Sequence, residues 1–258
     1  MAERHFLTNF LDKNGYEAIT GKEILRSIHV SGARHCLKQD RDAFVMNGLI
    51  TFAGAIHAIH TCNYSWAFIQ CYYAVFYLAE ALLATQDVGI YYIGKKPYSI
   101  KTSAGEHFTK KSGNSHQVIF ALYKDRFDGD DFLCGEIDGK NVIDWFNNKR
   151  EEINYRKNPM DDPFPSHPIY KYSDNLRTWL SAYRDEYLYS FDPAHAYVAF
   201  PLQLIGRIEL VYEREHSKNL FITKERVEHL AMNISDKRGP IHWIIEGIKG
   251  ISNTEKLF

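Results

Sequence analysis

The chain has 258 residues, 45% hydrophobic and 24% charged, with a formal net charge of −1. That length can bury a sizeable core. The balance excludes a chain disordered through its bulk and a protein that is basic overall in the manner of a polyanion binder. Four cysteines, Cys36, Cys62, Cys71 and Cys134, form no CxxC pair and read as reduced core residues, so a cytoplasmic location is expected. The first residues have no apolar run behind their charges, unlike a signal peptide. The most apolar segment, Trp66 to Ala84, contains Glu80 and reads as a buried core helix, so no membrane is expected as a partner. The 17 Tyr, 16 Phe and 4 Trp predict large helix-packing contacts or a protein interface.

In chain order, Thr20-Gly21-Lys22-Glu23 has the capping-box pattern and predicts a short helix through Ile28. From Asp40 to Cys62, Phe44, Leu49, Phe52, Ile56 and Ile59 sit near helical spacing and predict a long helix. Ser65 can cap the next helix, where Trp66, Ile69, Tyr72, Tyr73, Phe76 and Leu83 form one wide apolar face. The short connection predicts that these two helices pack antiparallel. Gly89 to Lys101 reads as a small hairpin or an extended loop around Gly94-Lys95-Lys96-Pro97. Ser115 starts a helix to about Phe127, Asp128 to Asp131 make a turn, and a helix follows from about Lys140 to Lys157. Four prolines between Asn158 and Pro168 mark a connector. Further helices start near Ser173, at Asp192-Pro193 and at Thr223, and the last covers about Ile241 to Ile248.

The helix YSWAFIQCYYAVFYLAEALLA, Tyr64 to Ala84, resembles the second core helix of HEPN-superfamily proteins. The segment Trp145 to Arg156, with Arg150, Asn154 and Tyr155, looks like their final core helix. The resemblance covers roughly residues 40–157. It implies an all-α fold: an up-down helical bundle with a small β-hairpin or loop insertion and additional C-terminal helices. It divides the chain into an N-terminal extension (1–39), the bundle (40–157), a Pro-rich connector (158–168) and a C-terminal helical region (169–258). Members of the family are often metal-independent ribonucleases or toxins of phage-defence systems, and many dimerise, so a homodimer and a cognate protein partner are implied. Their signature places a histidine four to six residues after the arginine. The arginine stabilises a charged phosphorane-like transition state, and the histidine moves the proton of a 2′-hydroxyl.

Here the residue four after Arg150 is Asn154, and no histidine occurs from Glu151 to Ser166. Asparagine can hydrogen-bond a phosphate or ribose but cannot transfer a proton at neutral pH. The resemblance therefore implies Arg150 at the transition state, Asn154 positioning phosphate or ribose, and proton transfer from another helix. His116 and His107 are the candidates for that transfer. Read without a function, Arg150, Glu151 and Glu152 are a solvated, ion-paired helix face. In some HEPN toxins a tyrosine after the motif is modified by a partner enzyme, a role that Tyr155 matches by position. The ordinary reading of Tyr155 is a buried or interface tyrosine.

Lys95, Lys96, Lys101, Lys110 and Lys111, interleaved with Tyr91, Tyr92, Tyr98 and Phe108, make the best candidate patch for nucleic acid: lysines neutralise phosphates and aromatics stack on unpaired bases, although a solvated loop with ordinary lysines explains the same residues. His57, His60 and Cys62 offer part of a metal-ligand set, for which spacing suggests no further ligands. An interior or interface pair of histidines is the expectation. No Walker loop, dinucleotide-binding glycine motif, nucleophile elbow or zincin motif is present, so no metal or cofactor is expected. Two readings follow. One is an RNA-binding protein or metal-independent ribonuclease of an antiphage-defence or toxin-antitoxin system. The other is a non-catalytic helical interaction or dimerisation subunit that binds a protein partner such as an ATPase or effector.

Overall fold

The structure is a computed structural model that describes residues 5–19, 22–130, 132–156, 162–163, 168–171, 173–214 and 224–233. The chain is mainly helical. It forms two compact units, each discontinuous in sequence: residues 1–44 with 79–126, and residues 45–78 with 127–258.

The first unit begins with helix α1 (Phe6–Lys13) and takes the start of helix α2 (Val30–His60) and the end of helix α3 (Tyr64–Thr85). Strands β1 (Val88–Ile93), β2 (Lys96–Lys101) and β3 (Thr109–Lys110) follow, then helix α4 (Ser115–Arg126). The strands form an antiparallel sheet in the order β1-β2-β3, with Val88 opposite Lys101 and Ile93 opposite Lys96. The predicted hairpin therefore exists, closed by the two-residue turn Gly94-Lys95. Gly94, at φ +59°, supplies the positive φ that so tight a turn requires. Leu7 and Leu11 of α1, Leu37 of α2, and Tyr91, Ile100 and Phe108 from the sheet region share one buried cluster. Close approach of α1 to β1 depends on Gly89, where a Cβ would lie 2.4 Å from Leu7 Cδ2.

The second unit contains the rest of α2 and α3, strands β4 (Glu136–Ile137) and β5 (Lys140–Asn141), and helix α5 (Val142–Glu151). Helices α6 (Leu176–Asp185), α7 (Ala196–Arg214) and α8 (Lys224–Asn233) complete it. Gly48 of α2 lets Leu78 of α3 come close, since a Cβ there would meet Leu78 Cδ2 at 2.8 Å. Its core is aromatic. Phe146 of α5 lies 5.9 Å from Phe68 of α3 and 5.7 Å from Phe200 of α7, centroid to centroid. Asn141 caps α5 by accepting a hydrogen bond from the Ile143 N–H at 3.0 Å.

Several expectations need correction. The helix predicted from Thr20 to Ile28 does not form in its described part. Leu25 N–H instead donates to the Glu106 carbonyl and Ile24 bridges to His107, so tertiary pairing takes the backbone groups a helix would have used. The long helix starts at Val30 rather than Asp40, and Asp40, Arg41 and Asp42 lie buried within it. The fold is not purely helical: β3 extends the hairpin to three strands, and Asp138-Gly139 turns a second, minimal hairpin with both residues at positive φ. His57 and His60 are exposed, which removes the interior reading of that pair and leaves the interface one. The Thr20-Gly21 start of the capping box, most of the proline-rich connector, Thr223 and the stretch Ile241 to Ile248 lie outside the described residues.

By length and composition, the segments Ser27–His60 and Tyr64–Thr85 could cross a membrane, but 56% and 78% of their apolar windows are buried within the protein. Core helices pass the same test, so this is weak evidence for a membrane.

Candidate functional site

Arg150 lies in the last turn of α5. One turn earlier, Asn147 accepts a 3.4 Å hydrogen bond from the Tyr72 hydroxyl of α3. The Arg150 guanidinium carbon sits 4.9 Å above the centre of the Tyr72 ring. A cation over an aromatic face is favoured by the ring quadrupole, increasingly so as water is excluded. Tyr72 is itself completely buried, and burial pushes its hydroxyl up to about 12 against the opposing charge of Arg150. Glu151 approaches the guanidinium only to 3.9 Å, and Glu152 pairs with Lys149 at 3.1 Å. The Arg150 Nε is buried and has no hydrogen-bond partner among the described residues. The result is a cation held on a tyrosine face with one inward N–H unfilled, an arrangement suited to an oxyanion or a phosphate oxygen.

After Glu151 the helix widens into a π-turn over Glu152–Arg156, which carries Asn154 exposed to solvent. Such turns cluster at functional sites. Asn154 thus follows Arg150 on the same chain segment. The Tyr155 side chain lies outside the described residues. His116, in the first turn of α4, and His107, bridged to Ile24, belong to the other compact unit.

The lysine patch is also in the first unit. Lys95 and Lys96 are exposed at the β1–β2 turn, and Lys110 is exposed on β3 opposite Tyr98. Lys111 donates its backbone N–H to the Pro97 carbonyl at 2.8 Å. The sheet therefore gathers Lys95, Lys96, Lys110 and Lys111 about the start of β2, whereas Lys101 lies at its far end. Of the aromatics expected with them, Tyr91, Tyr98 and Phe108 are buried in the core and offer no stacking face to a base, while Tyr92 is half-buried.

Two arrangements had no counterpart in the reading from sequence. In the second unit, His195 Nδ1 and the Tyr183 hydroxyl are 2.7 Å apart, with Trp179 stacked on the imidazole at 4.8 Å. Burial lowers the His195 pKa, and Asp192 partly opposes that. In the first unit, Glu80 of α3 and Asp40 of α2 line a small cavity. Burial and the Asp40 charge raise Glu80 to about 8. Only Glu80 could have been noticed beforehand, as the single charge in an otherwise apolar helix. Among the described residues no group of three or more His, Cys, Asp and Glu is placed to hold a metal ion, so His57, His60 and Cys62 complete no such set.

No family model, curated protein or solved structure matches this chain. What fold and site define is a mainly helical protein with a small antiparallel sheet and a stacked arginine on its α5 helix.

Proposed function

We propose that this chain is a HEPN-like RNA-binding protein or metal-independent ribonuclease of a prokaryotic antiphage-defence or toxin-type system, acting in the cytoplasm as a homodimer. The observation that carries this reading is Arg150, fixed on the Tyr72 ring with its buried Nε unfilled. A phosphodiester oxygen would pair with the part of the guanidinium that stays exposed, and Asn154 would position the adjacent ribose or phosphate; His116 is the proton-transfer candidate that the resemblance implies. Lys95, Lys96, Lys110 and Lys111 would neutralise RNA phosphates.

The second reading is a non-catalytic subunit that docks a protein partner. It is favoured by the histidine missing after Arg150 and by the least buried stripe of α3 within the second unit, Trp66, Gln70, Tyr73 and Tyr77. Trp66 is 59% exposed at its start, and exposed aromatics are enriched where proteins meet.

The test is incubation of the protein with total tRNA and mRNA in EDTA, beside Arg150→Ala and Arg150→Lys. Metal-independent cleavage by the wild type, abolished in Arg150→Ala and not restored by the lysine, is the expected result. Intact RNA in every lane, with RNA affinity unchanged by the substitutions, would reject the RNA reading in favour of the docking subunit.

A further inference from the structure

The first unit, which does not include Arg150, contains a small cavity. The cavity, of about 30 Å³, is walled by Leu37 and Phe44 of α2, Leu83 of α3, Ile90 and Tyr92 of β1, and Ile119 of α4. Two carboxylates and one imidazole meet it: Asp40, Glu80 and His5. Apolar walls with a few convergent polar groups are the usual form of a small-ligand site.

The two acids are held differently. Asp40 accepts the Phe6 and Leu7 N–H groups at 2.7 and 2.9 Å, so it caps α1 in place of His5, whose side chain makes no cap. Burial raises the Asp40 pKa, and these two bonds oppose that in part by favouring its ionised form. His5 Nδ1 stands 3.8 Å from Asp40 on the solvent side, 56% exposed. Glu80 has neither a hydrogen bond nor an ion pair among the described residues, and it is half-buried where it lines the cavity. The nearest guanidinium in sequence, Arg41, is engaged by Asp42 at 3.1 Å. Besides these groups, Tyr92 brings the cavity its remaining titratable side chain.

We propose that this cavity binds a primary ammonium group, of free ammonium or of a small aliphatic amine, between the Asp40 and Glu80 carboxylates. The size fits: a volume of roughly 10–15 Å³ admits one water, and an ammonium head is about as large as a water. An N-alkyl tail would lie along Leu83 and Ile119, and Phe44 and Tyr92 offer aromatic surface to the cation. A metal ion is disfavoured, since these residues do not form a ligating group. Near neutral pH Glu80 carries a proton that the incoming cation must displace, so the ammonium enters, Glu80 becomes a carboxylate, and one proton leaves to solvent.

The test is calorimetric titration of the full chain with ammonium chloride and with methylammonium chloride. Methanol serves as the neutral match in size, and tetramethylammonium as the oversized match in charge. Saturable binding of either primary cation, with none of methanol or tetramethylammonium, is expected; which of the two binds tighter distinguishes free ammonium from an amine. Repeating the titration in buffers of different ionisation enthalpy should give close to one proton released at pH 7. Affinity should strengthen about tenfold from pH 6 to pH 7 and level off above pH 8. Glu80→Gln should abolish the proton release and weaken binding at least about tenfold. Failure of both primary cations to bind the wild type, binding without proton release, or equal binding by folded Glu80→Gln would each overturn the proposal. The wild-type proton count decides the matter even if that variant does not fold.

Discussion

Glu80 should make the protein less stable as the pH rises through neutrality, and Glu80→Gln should remove that loss. Burial and the Asp40 charge raise its carboxyl from an ordinary 4.5 to about 8 in the folded chain. Below 4.5 both folded and unfolded chains carry the proton, and the stability tied to this group is fully present. Between 4.5 and about 8 only the folded chain holds it, so the unfolded chain gains on the folded one as protons are withdrawn. Each pH unit in that window is worth about 1.4 kcal/mol, so the loss between pH 5 and pH 7 is on the order of 2–3 kcal/mol. Above about 8 it is complete. The amide has the carboxyl's shape and no proton to lose, so the variant should be flat where the wild type slopes. Urea unfolding of both proteins between pH 5 and pH 9 measures this directly. Parallel stability curves for wild type and variant would refute the reasoning, because a Glu80 that titrates alike in both states contributes no slope.

Two further substitutions probe other parts of the fold. Gly89→Ala places a methyl 2.4 Å from Leu7 Cδ2 and 3.1 Å from Leu37 Cδ1, so it should cost about 1–3 kcal/mol by thermal unfolding. It should also raise hydrogen exchange in α1, which loses its seat on β1. In the second unit, burial holds His195 below its ordinary value of 6.5, so its stability is present above that pH and lost as the pH falls toward the folded value. Acid titration should therefore quench Trp179 emission as the stacked imidazole gains its proton, and the step should vanish in His195→Phe; an unchanged step would assign it elsewhere.

Much of the fold is legible in the sequence because its signals are local. The wide apolar face of α3, the Asn141-capped α5, and the glycine turn between β1 and β2 follow from spacing and turn chemistry. Asp138-Gly139 was legible too, as an Asp-Gly hairpin signal, but its two-residue strands are too short to show alternation. What escaped depends on distant residues. Nothing near Glu23 announces that Leu25 will pair with Glu106, some eighty residues on, and the capping-box pattern points the other way. Asp40 looks like a helix start because Asp favours that position. Its carboxylate does cap a helix, but that helix is α1, not its own. At the sites, Arg150 could be singled out by position, whereas its stacking on Tyr72 required α3 and α5 to be packed.

The two buried arginines make the case for Arg150 by comparison. Arg41 is 2% exposed and gives its Nε to Asp42 at 3.1 Å. Arg150 is also largely buried, yet its Nε has no acceptor among the described residues and its closest carboxylate oxygen stands at 3.9 Å. A buried donor left unfilled costs about 1–3 kcal/mol, and more on a charged group. Glu151 is adjacent to Arg150 in sequence, as Asp42 is to Arg41, yet it does not close the gap. A guanidinium that the fold desolvates on one side and steadies on a tyrosine, without giving it a strong carboxylate, retains its capacity for an external anion. An arginine that served only to hold α5 in place would be expected to resemble Arg41. That difference within one chain makes the anion-binding reading of Arg150 the more economical one.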